Sequence, residues 1–437
     1  MEVKAGYKQT EVGILPKDWE VKPLDNISFV TSGKRLPLGK SLTDDETPHP
    51  YIRVVDMRME TVSLSDLKYV PVVVFPYIKR YRIFKDDIFI AVVGNTLGIV
   101  GKIPVELDGA NLTENADRIT NITCSRDYLL HILKSPLIQN TIEAIKTVGA
   151  QPKLALTRLR KFNIPLPPTI TEQEAIAEAL GDADAFIEAV EQLLAKKRQI
   201  KQGAMSELLT GKMRLPEFDK KQGYKQTEVG IFPEDWDIVP LKNISSMHGR
   251  IGWQGLKQSE FTMNLDQPFL ITGMNFKDGE IRWDEVYHIS NERYEIAKEI
   301  QLQIGDVLMT KDGTIGKILY VDHIPHSGKA SLNSHLLVFR PLNKKYVPKF
   351  LFYQLNSRTF HNHIELEKSG TTFFGITQEA VGKYNAFLPS FAEQTAIAEI
   401  LSDMDAEITA LEEKLVKARQ VKAGMMSVLL TGRVRLV

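Results

Sequence analysis

Two sets of basic and polar side chains, each embedded among glycines, have the types and spacing needed to hold a polyanion. In the first, Lys34, Arg35 and Lys40 lie in Thr31 to Lys40, TSGKRLPLGK, and Lys79, Arg80 and Arg82 cluster ahead of a β-like run. In the second, Arg250, Gln254 and Lys257 surround Trp253, and Lys311 opens the polar turn Lys311-Asp312-Gly313-Thr314. Ammonium and guanidinium groups neutralise phosphates, and a guanidinium forks onto a guanine edge. Asn95, Thr96, Gln151, Gln254, Thr314, Asn333 and His335 add the amides, hydroxyls and imidazole that can contact base edges. Any one of these is an ordinary solvated loop residue; their recurrence at matching places makes them candidates.

Residue patterns for catalysis are missing from the sequence. There is no GxxxxGK[ST] nucleotide loop, no glycine-rich cofactor fingerprint after a strand, and no Asn-Pro-Pro-aromatic tetrapeptide. His361-Asn362-His363 has no further spaced Cys or His and reads as a helix-face coincidence rather than a zinc site. The expectation is a chain that performs no chemistry itself and carries no metal or cofactor.

Composition is that of an ordinary globular protein, with 43% hydrophobic and 25% charged residues over 437 positions. Lys and Arg total 55, as do Asp and Glu, so any polyanion must be held by local basic surfaces rather than by net charge. The single cysteine, Cys124, excludes an internal disulfide and suits a reducing cytoplasm. No apolar run is long enough to span a membrane.

The elements that must position these groups come from a duplication. Thr169 to Leu215 returns as Ser390 to Leu436 at a constant offset and without a gap. Ile176, Leu180, Ala183, Ile187, Val190 and Leu194 alternate steps of three and four, as do Ile397, Leu401, Met404, Ile408, Leu411 and Leu415. Thr169 with Glu172, and Ser390 with Glu393, predict a capping box at each start, and Gly211 and Gly432 predict the stops. Each helix is acidic in its first half and basic in its second, so an antiparallel pair sets each acidic half against a basic one.

A second repeat, GYKQTEVGILPKDW at Gly6 to Trp19 and GYKQTEVGIFPEDW at Gly223 to Trp236, precedes each variable region. The chain therefore reads as one half-unit written twice: leading segment, variable domain, long helix. The N-terminal leading segment is expected to dock near the end of the second helix, with Trp19 and Trp236 packing these junctions. The expected segments are 1–168 (leading segment and first variable domain), 169–215 (first helical region, a spacer), 216–389 (linker, repeated leading segment and second variable domain) and 390–437 (second helical region).

Both variable regions show short β-like runs followed by helical stretches. Tyr51 to Val55, Asp87 to Val93 and Ile119 to Thr123 precede a helix over Tyr128 to Lys146, while Phe269 to Thr272, Asp306 to Met309 and Leu336 to Arg340 precede helices over Tyr346 to Leu355 and Thr359 to Lys368. Gly94-Asn95-Thr96-Leu97-Gly98 answers Gly313-Thr314-Ile315-Gly316, and Ala110-Asn111-Leu112 answers Ala330-Ser331-Leu332. The predicted fold is α+β: two globular α+β domains separated by two long antiparallel coiled-coil helices, with pseudo-twofold symmetry.

Near-identical helices framing two unlike domains with GDVLMT and GTIGK turns, closing in LPP or LPS before an EQ helix, closely resemble the specificity subunit of Type I restriction-modification enzymes. The resemblance spans essentially the whole chain. It implies two target recognition domains, each reading half of a bipartite double-stranded DNA site, and helical regions that set the gap and dock two methyltransferase subunits. It also implies two restriction subunits in the full complex, with S-adenosylmethionine, ATP and Mg on those partners. The other classes weighed are a free-standing nuclease or methyltransferase and a two-headed adaptor for proteins or glycans. Turnover by the isolated chain would mark the first, and absence of any DNA sequence preference the second.

Overall fold

The computed structural model describes residues 5–146, 152–219, 223–227, 230–251, 255–277, 279–325, 328–369 and 375–436. The chain divides into two compact units, Met1–Glu191 with Glu413–Val437, and Gln192–Glu412. Each unit holds half of each long helix, Ile170–Leu208 and Phe391–Leu429.

In the first unit the leading segment is a hairpin, Tyr7–Thr10 against Gly13–Pro16. Glu20–Pro23 then pairs antiparallel with Asn163–Leu166, so the two ends of the globular domain are tied together beside the helix start. Between them lies an antiparallel sheet in the order Phe29–Ser32, Ala116–Thr120, Ile88–Ala91, Val100–Lys102. A smaller mixed sheet contains Pro50–Ile52 and Ala110–Leu112 as parallel neighbours. The helix expected over Tyr128 to Lys146 is two, Arg126–Lys134 and Pro136–Lys146. Ser135 turns extended (ψ 156°) ahead of Pro136, which opens the next helix where its missing N–H costs nothing.

The second unit repeats this order. Its hairpin is Tyr224–Thr227 with Gly230–Pro233, its tie is Asp237–Pro240 with Asn385–Leu388, and its antiparallel sheet runs Ser245–His248, Leu336–Pro341, Val307–Thr310, Ile318–Tyr320. Phe269–Ile271 and Ala330–Leu332 are the parallel neighbours of its smaller sheet. Helices Pro348–Leu355 and Arg358–Glu367 complete it.

Within each unit the long-helix halves run antiparallel, and charge fixes their register. In the first unit Arg419 meets Glu191 at 2.6 Å and Lys422 meets Asp184. In the second, Arg198 meets Glu412 at 2.5 Å, Lys197 meets Glu407 at 2.6 Å, and Lys201 meets Asp405. Ile176, Leu180, Ile397 and Leu401 are buried in the cores of the domains that precede their helices. Ala183, Ile187, Met404, Ile408 and Leu411 are half-buried, and the seam is buried again at Val190, Leu194 and Leu415.

The helix caps differ from expectation in one respect. Thr169 Oγ1 and Ser390 Oγ accept the N–H groups of Glu172 and Glu393 at 3.2 and 3.3 Å, as a cap requires. The glutamates themselves turn to arginines: Glu172 to Arg435, and Glu393 to Arg214 at 2.6 Å. A guanidinium offers a charge-assisted pair that a single backbone N–H cannot match.

At the far ends, Gly211 and Gly432 have φ of 67° and 65°. A Cβ there would stand 2.6 Å from Pro233 Cδ and 2.5 Å from Pro16 Cγ. The helix ends can thus seat against the leading hairpins only as glycine. Tyr7 donates its hydroxyl to the Gly432 carbonyl at 3.2 Å, so the N-terminal segment docks on the end of the second helix as expected. Trp19 and Trp236 are fully buried at these junctions. Among the described residues no helix is long and apolar enough to cross a membrane.

Candidate nucleic-acid interface

In each domain the candidate surface is built around a short turn that joins the two sheets. In the first this turn is Thr113-Glu114-Asn115, leaving strand Ala110–Leu112 and entering Ala116–Thr120. In the second it is Asn333-Ser334-His335, between Ala330–Leu332 and Leu336–Pro341. On one side of the turn lies the loop that leaves the first strand of the antiparallel sheet; on the other lies the glycine turn.

In the first domain the Gly33 N–H donates to the Ala116 carbonyl at 3.0 Å and the Lys34 N–H to the Leu112 carbonyl at 2.8 Å. A Cβ on Gly33 would lie 2.1 Å from the Thr113 carbonyl oxygen, so only glycine lets the basic loop approach this closely. Lys34 and Arg35 are exposed beyond it. The Lys34 ammonium stands 5.9 Å from the centre of the Tyr81 ring, and Arg35 pairs with Glu114 at 3.4 Å. Arg82 is exposed on a strand whose register sets it opposite Asn111, and its guanidinium lies over Phe84 at 5.2 Å. Arg118 donates to the Arg82 carbonyl and fixes this edge. Lys34, Arg35 and Arg82 are thereby brought around one strand end, whereas Lys40 and Arg80 are exposed with no side-chain partner among the described residues.

The glycine turns superimpose in hydrogen bonding despite their different lengths. The Gly98 N–H donates to the Ala91 carbonyl and the Gly316 N–H to the Thr310 carbonyl, both at 2.9 Å. The extra residue of the first turn is absorbed within it, where Asn95 is exposed and Thr96 donates its hydroxyl to the Val93 carbonyl at 3.0 Å. In the second domain Thr314 is exposed and its carbonyl accepts the Thr310 hydroxyl. Lys311 is half-buried, Asn333 accepts the His335 N–H at 3.1 Å, and His335 Nδ1 meets Asp312 Oδ2 at 3.0 Å. Lys257 is exposed.

Arg250 corrects the expectation of an open cation. Its side chain is buried, with Nε donating to the Leu332 carbonyl at 2.9 Å and a terminal nitrogen to the Ser331 hydroxyl at 3.0 Å. Burial, aided by nearby Arg293 and opposed by Glu260, lowers its pKa to about 10. It is an internal brace of the loop. Gln151, Trp253 and Gln254 lie outside the described residues.

Elsewhere the side chains point away from this role. A cleft of about 930 Å³ in the first unit is lined by Asp86, Asp87, Asp127, Glu174 and Glu178, which would repel phosphates. His361 Nδ1 and His363 Nε2 each meet a backbone carbonyl at 2.9 Å, of Ser357 and Ala380 respectively. Asn115, which is not among the sequence candidates, occupies in the first turn the place that His335 holds in the second. Continuing the match of Ala110-Asn111-Leu112 with Ala330-Ser331-Leu332 for three residues would have set it opposite His335.

The model of the Type I restriction modification DNA specificity domain matches this chain twice, over residues 16–200 and 233–418. The chain belongs to this family. Among specificity subunits it is similar to that of the type I restriction enzyme MjaVIII from Methanocaldococcus jannaschii, at 26% identity over 96% of this chain and 94% of the relative. It is also similar to that of the type I restriction enzyme StySPI from Salmonella potsdam, at 23% identity over 93% of this chain and 86% of the relative. The fold is shared with the solved S subunit of the Type I restriction-modification system from M. genitalium, at TM-score 0.55 and 14% identity over 98% of both chains. A specificity domain reads DNA sequence, and the two matched stretches each contain one copy of the turn-centred surface described above.

Proposed function

We propose that each globular domain reads one half of a bipartite double-stranded DNA target. The paired long helices set the unread gap and dock two methyltransferase (modification) subunits, and two restriction subunits join the full complex. S-adenosylmethionine, and ATP with Mg, belong to those partners; this chain supplies recognition and no bond-making chemistry.

The observation that carries the reading is a constant frame holding different chemistry. The ties, sheets, helix ends and glycine turns recur with the same hydrogen bonds, while the groups they present differ: Lys34, Arg35 and Arg82 in one domain, Lys311, Asn333 and His335 in the other. Two unlike half-sites follow, centred about one helical turn, roughly 10 base pairs, apart if both are met on one face of the duplex. Docking of partner subunits on the helices is supported by exposed apolar side chains there, Phe186 and Val421, beside a groove of about 480 Å³ in the first unit.

Exchanging residues 237–388 for another recognition domain tests the reading. Methylated-adenine mapping in cells carrying the chimaera should show one half-site changed and the other retained. Alteration of both halves would refute independent reading.

A further inference from the structure

The turn at the centre of each surface sits in a three-segment crossing that is the same in both domains. In the first, the Val92 N–H donates to the Asn115 carbonyl and the Leu154 N–H donates to the Val92 carbonyl, both at 2.9 Å. In the second, the Lys311 N–H donates to the His335 carbonyl and the Ile376 N–H donates to the Lys311 carbonyl, again at 2.9 Å. The strands that follow keep the register, with Ala116 opposite Ala91 and Leu336 opposite Thr310. Asn115 and His335 are therefore the same position in two copies of one frame, as are Val93 and Asp312.

The frame is constant and the side chains at this position are not. Asn115 is half-buried; its backbone N–H donates to the Thr113 hydroxyl at 3.4 Å, while its side-chain amide makes no hydrogen bond among the described residues. A primary amide carries an acceptor and donors on one tip, which matches the N7 and N6 edge of adenine. His335 is exposed, and its Nδ1 is held by the Asp312 carboxylate at 3.0 Å. A carboxylate there favours the proton on Nδ1, so the neutral ring presents Nε2 as an acceptor, suited to an exocyclic amino group of adenine or cytosine. Arg35, paired with Glu114 at 3.4 Å, and Lys311, whose N–H donates to the His335 carbonyl, stand beside these positions in the fold, where a cation can hold an adjoining backbone phosphate.

We propose that Asn115 and His335 are equivalent base-contacting residues, one for each half-site, and that Asp312 is a positioning residue that orients the His335 ring. This rests on the DNA-reading function proposed above. It assigns one specificity-determining position in each half of the target to a turn that the fold places identically and that the sequence fills differently.

The test uses the full chain assembled with its modification subunits and selection from random duplex pools. Asn115→Ala should lower discrimination at one position of the first half-site by a factor of about 5 to 150, and leave the second half-site as it was. Asn115→Asp, which keeps the shape and loses the amide donors, should do the same. His335→Ala should relax one position of the second half-site only. Asp312→Ala should relax that same position, and Asp312→Asn, which still accepts from Nδ1–H, should restore it. The unaffected half-site in each variant shows that the chain is folded and assembled. Unchanged preference in both Asn115 variants, or in His335→Ala, would overturn the assignment. Asp312→Ala without effect where His335→Ala has one would overturn the positioning role. A wild-type complex that selects no sequence would instead refute the underlying DNA-reading function, and that control tells the two failures apart.

Discussion

Arg435 closes on Glu172 through Nε and a terminal nitrogen, the latter at 2.8 Å, and the same guanidinium reaches Asp18 at 3.0 Å. One side chain thus joins the start of one long helix, the residues just past the end of the other and the leading segment of the first unit. The second unit repeats the clasp with Arg214, which meets Glu393 at 2.6 and 2.7 Å and Asp235 at 2.9 Å. Each arginine also lies 5.9 Å from the centre of a buried tryptophan ring, Trp19 or Trp236.

Arg214→Ala is expected to destabilise the second unit by about 3–5 kcal/mol, because Glu393 is 1% exposed and would be left as an uncompensated buried charge. Arg435→Ala should cost somewhat less: Glu172 is also buried, at 4% exposed, but Arg435 is 33% exposed against 8% for Arg214, so its pair is the more hydrated of the two. Denaturant unfolding followed by tryptophan fluorescence gives both values; equal, small losses would show the clasps to be incidental.

Asp184 makes stability depend on acid. Burial raises its carboxyl, but hydrogen bonds from the Lys422 and Lys134 ammoniums bring it net below the ordinary value of 3.8. Lys134 is itself lowered, by burial first and then by Lys422, yet lysine titrates far above this range, so the carboxylate governs the acid limb. Between the two values of Asp184 the unfolded chain holds the proton and the folded chain does not, so stability rises with pH there. The contribution is fully present above 3.8 and is lost as pH falls through the lowered folded value. Asp184→Asn should flatten this limb in urea unfolding measured across acidic pH, and an unchanged slope would exclude the mechanism.

Arg250→Ala should cost about 1–3 kcal/mol, because the Leu332 carbonyl and Ser331 hydroxyl lose a buried donor. Since these groups lie at the root of the turn Asn333 to His335, recognition of the second half-site should weaken while the first persists. Unfolding and duplex selection measure the two effects separately.

The helices as a ruler can be tested by insertion after Ala195, next to the buried Leu194. Four residues add about 6 Å and keep the apolar face nearly in phase. With base pairs stacked about 3.4 Å apart, the unread gap should lengthen by one or two base pairs while both half-sites stay the same. Two residues should turn the seam outward and prevent assembly. An assembled four-residue variant with an unchanged gap in methylation mapping would leave the helices as docking surfaces alone.

The long-range organisation was legible because repetition and charge are properties of sequence. The offset copies, the acid-to-base gradient along each helix and the two glycine stops specify the antiparallel pairs and the docking of the leading hairpin. What escaped reading depends on short partners brought from far away. Glu20–Pro23 and Asn163–Leu166 are four-residue strands containing proline, and alone neither has a strand pattern. Pro50–Ile52 and Ala110–Leu112 are three residues each, and their parallel pairing exists only once the sheet is built. Arg250 was misread because residue type predicts exposure, whereas its neighbours Ser331 and Leu332 arrive from another part of the chain.

The composition of the first unit also orders its synthesis. Gln192–Glu412 is continuous, so all of the second unit can assemble once residue 412 has left the ribosome. The first unit needs Glu413 onward, including Leu429, Leu430 and the Gly432 to Arg435 turn that covers Trp19. A nascent chain therefore carries its first domain with an uncovered apolar junction for the whole time the second is being made. The domain begun first is finished last, and during translation that junction is the natural place for a chaperone to bind or a protease to cut.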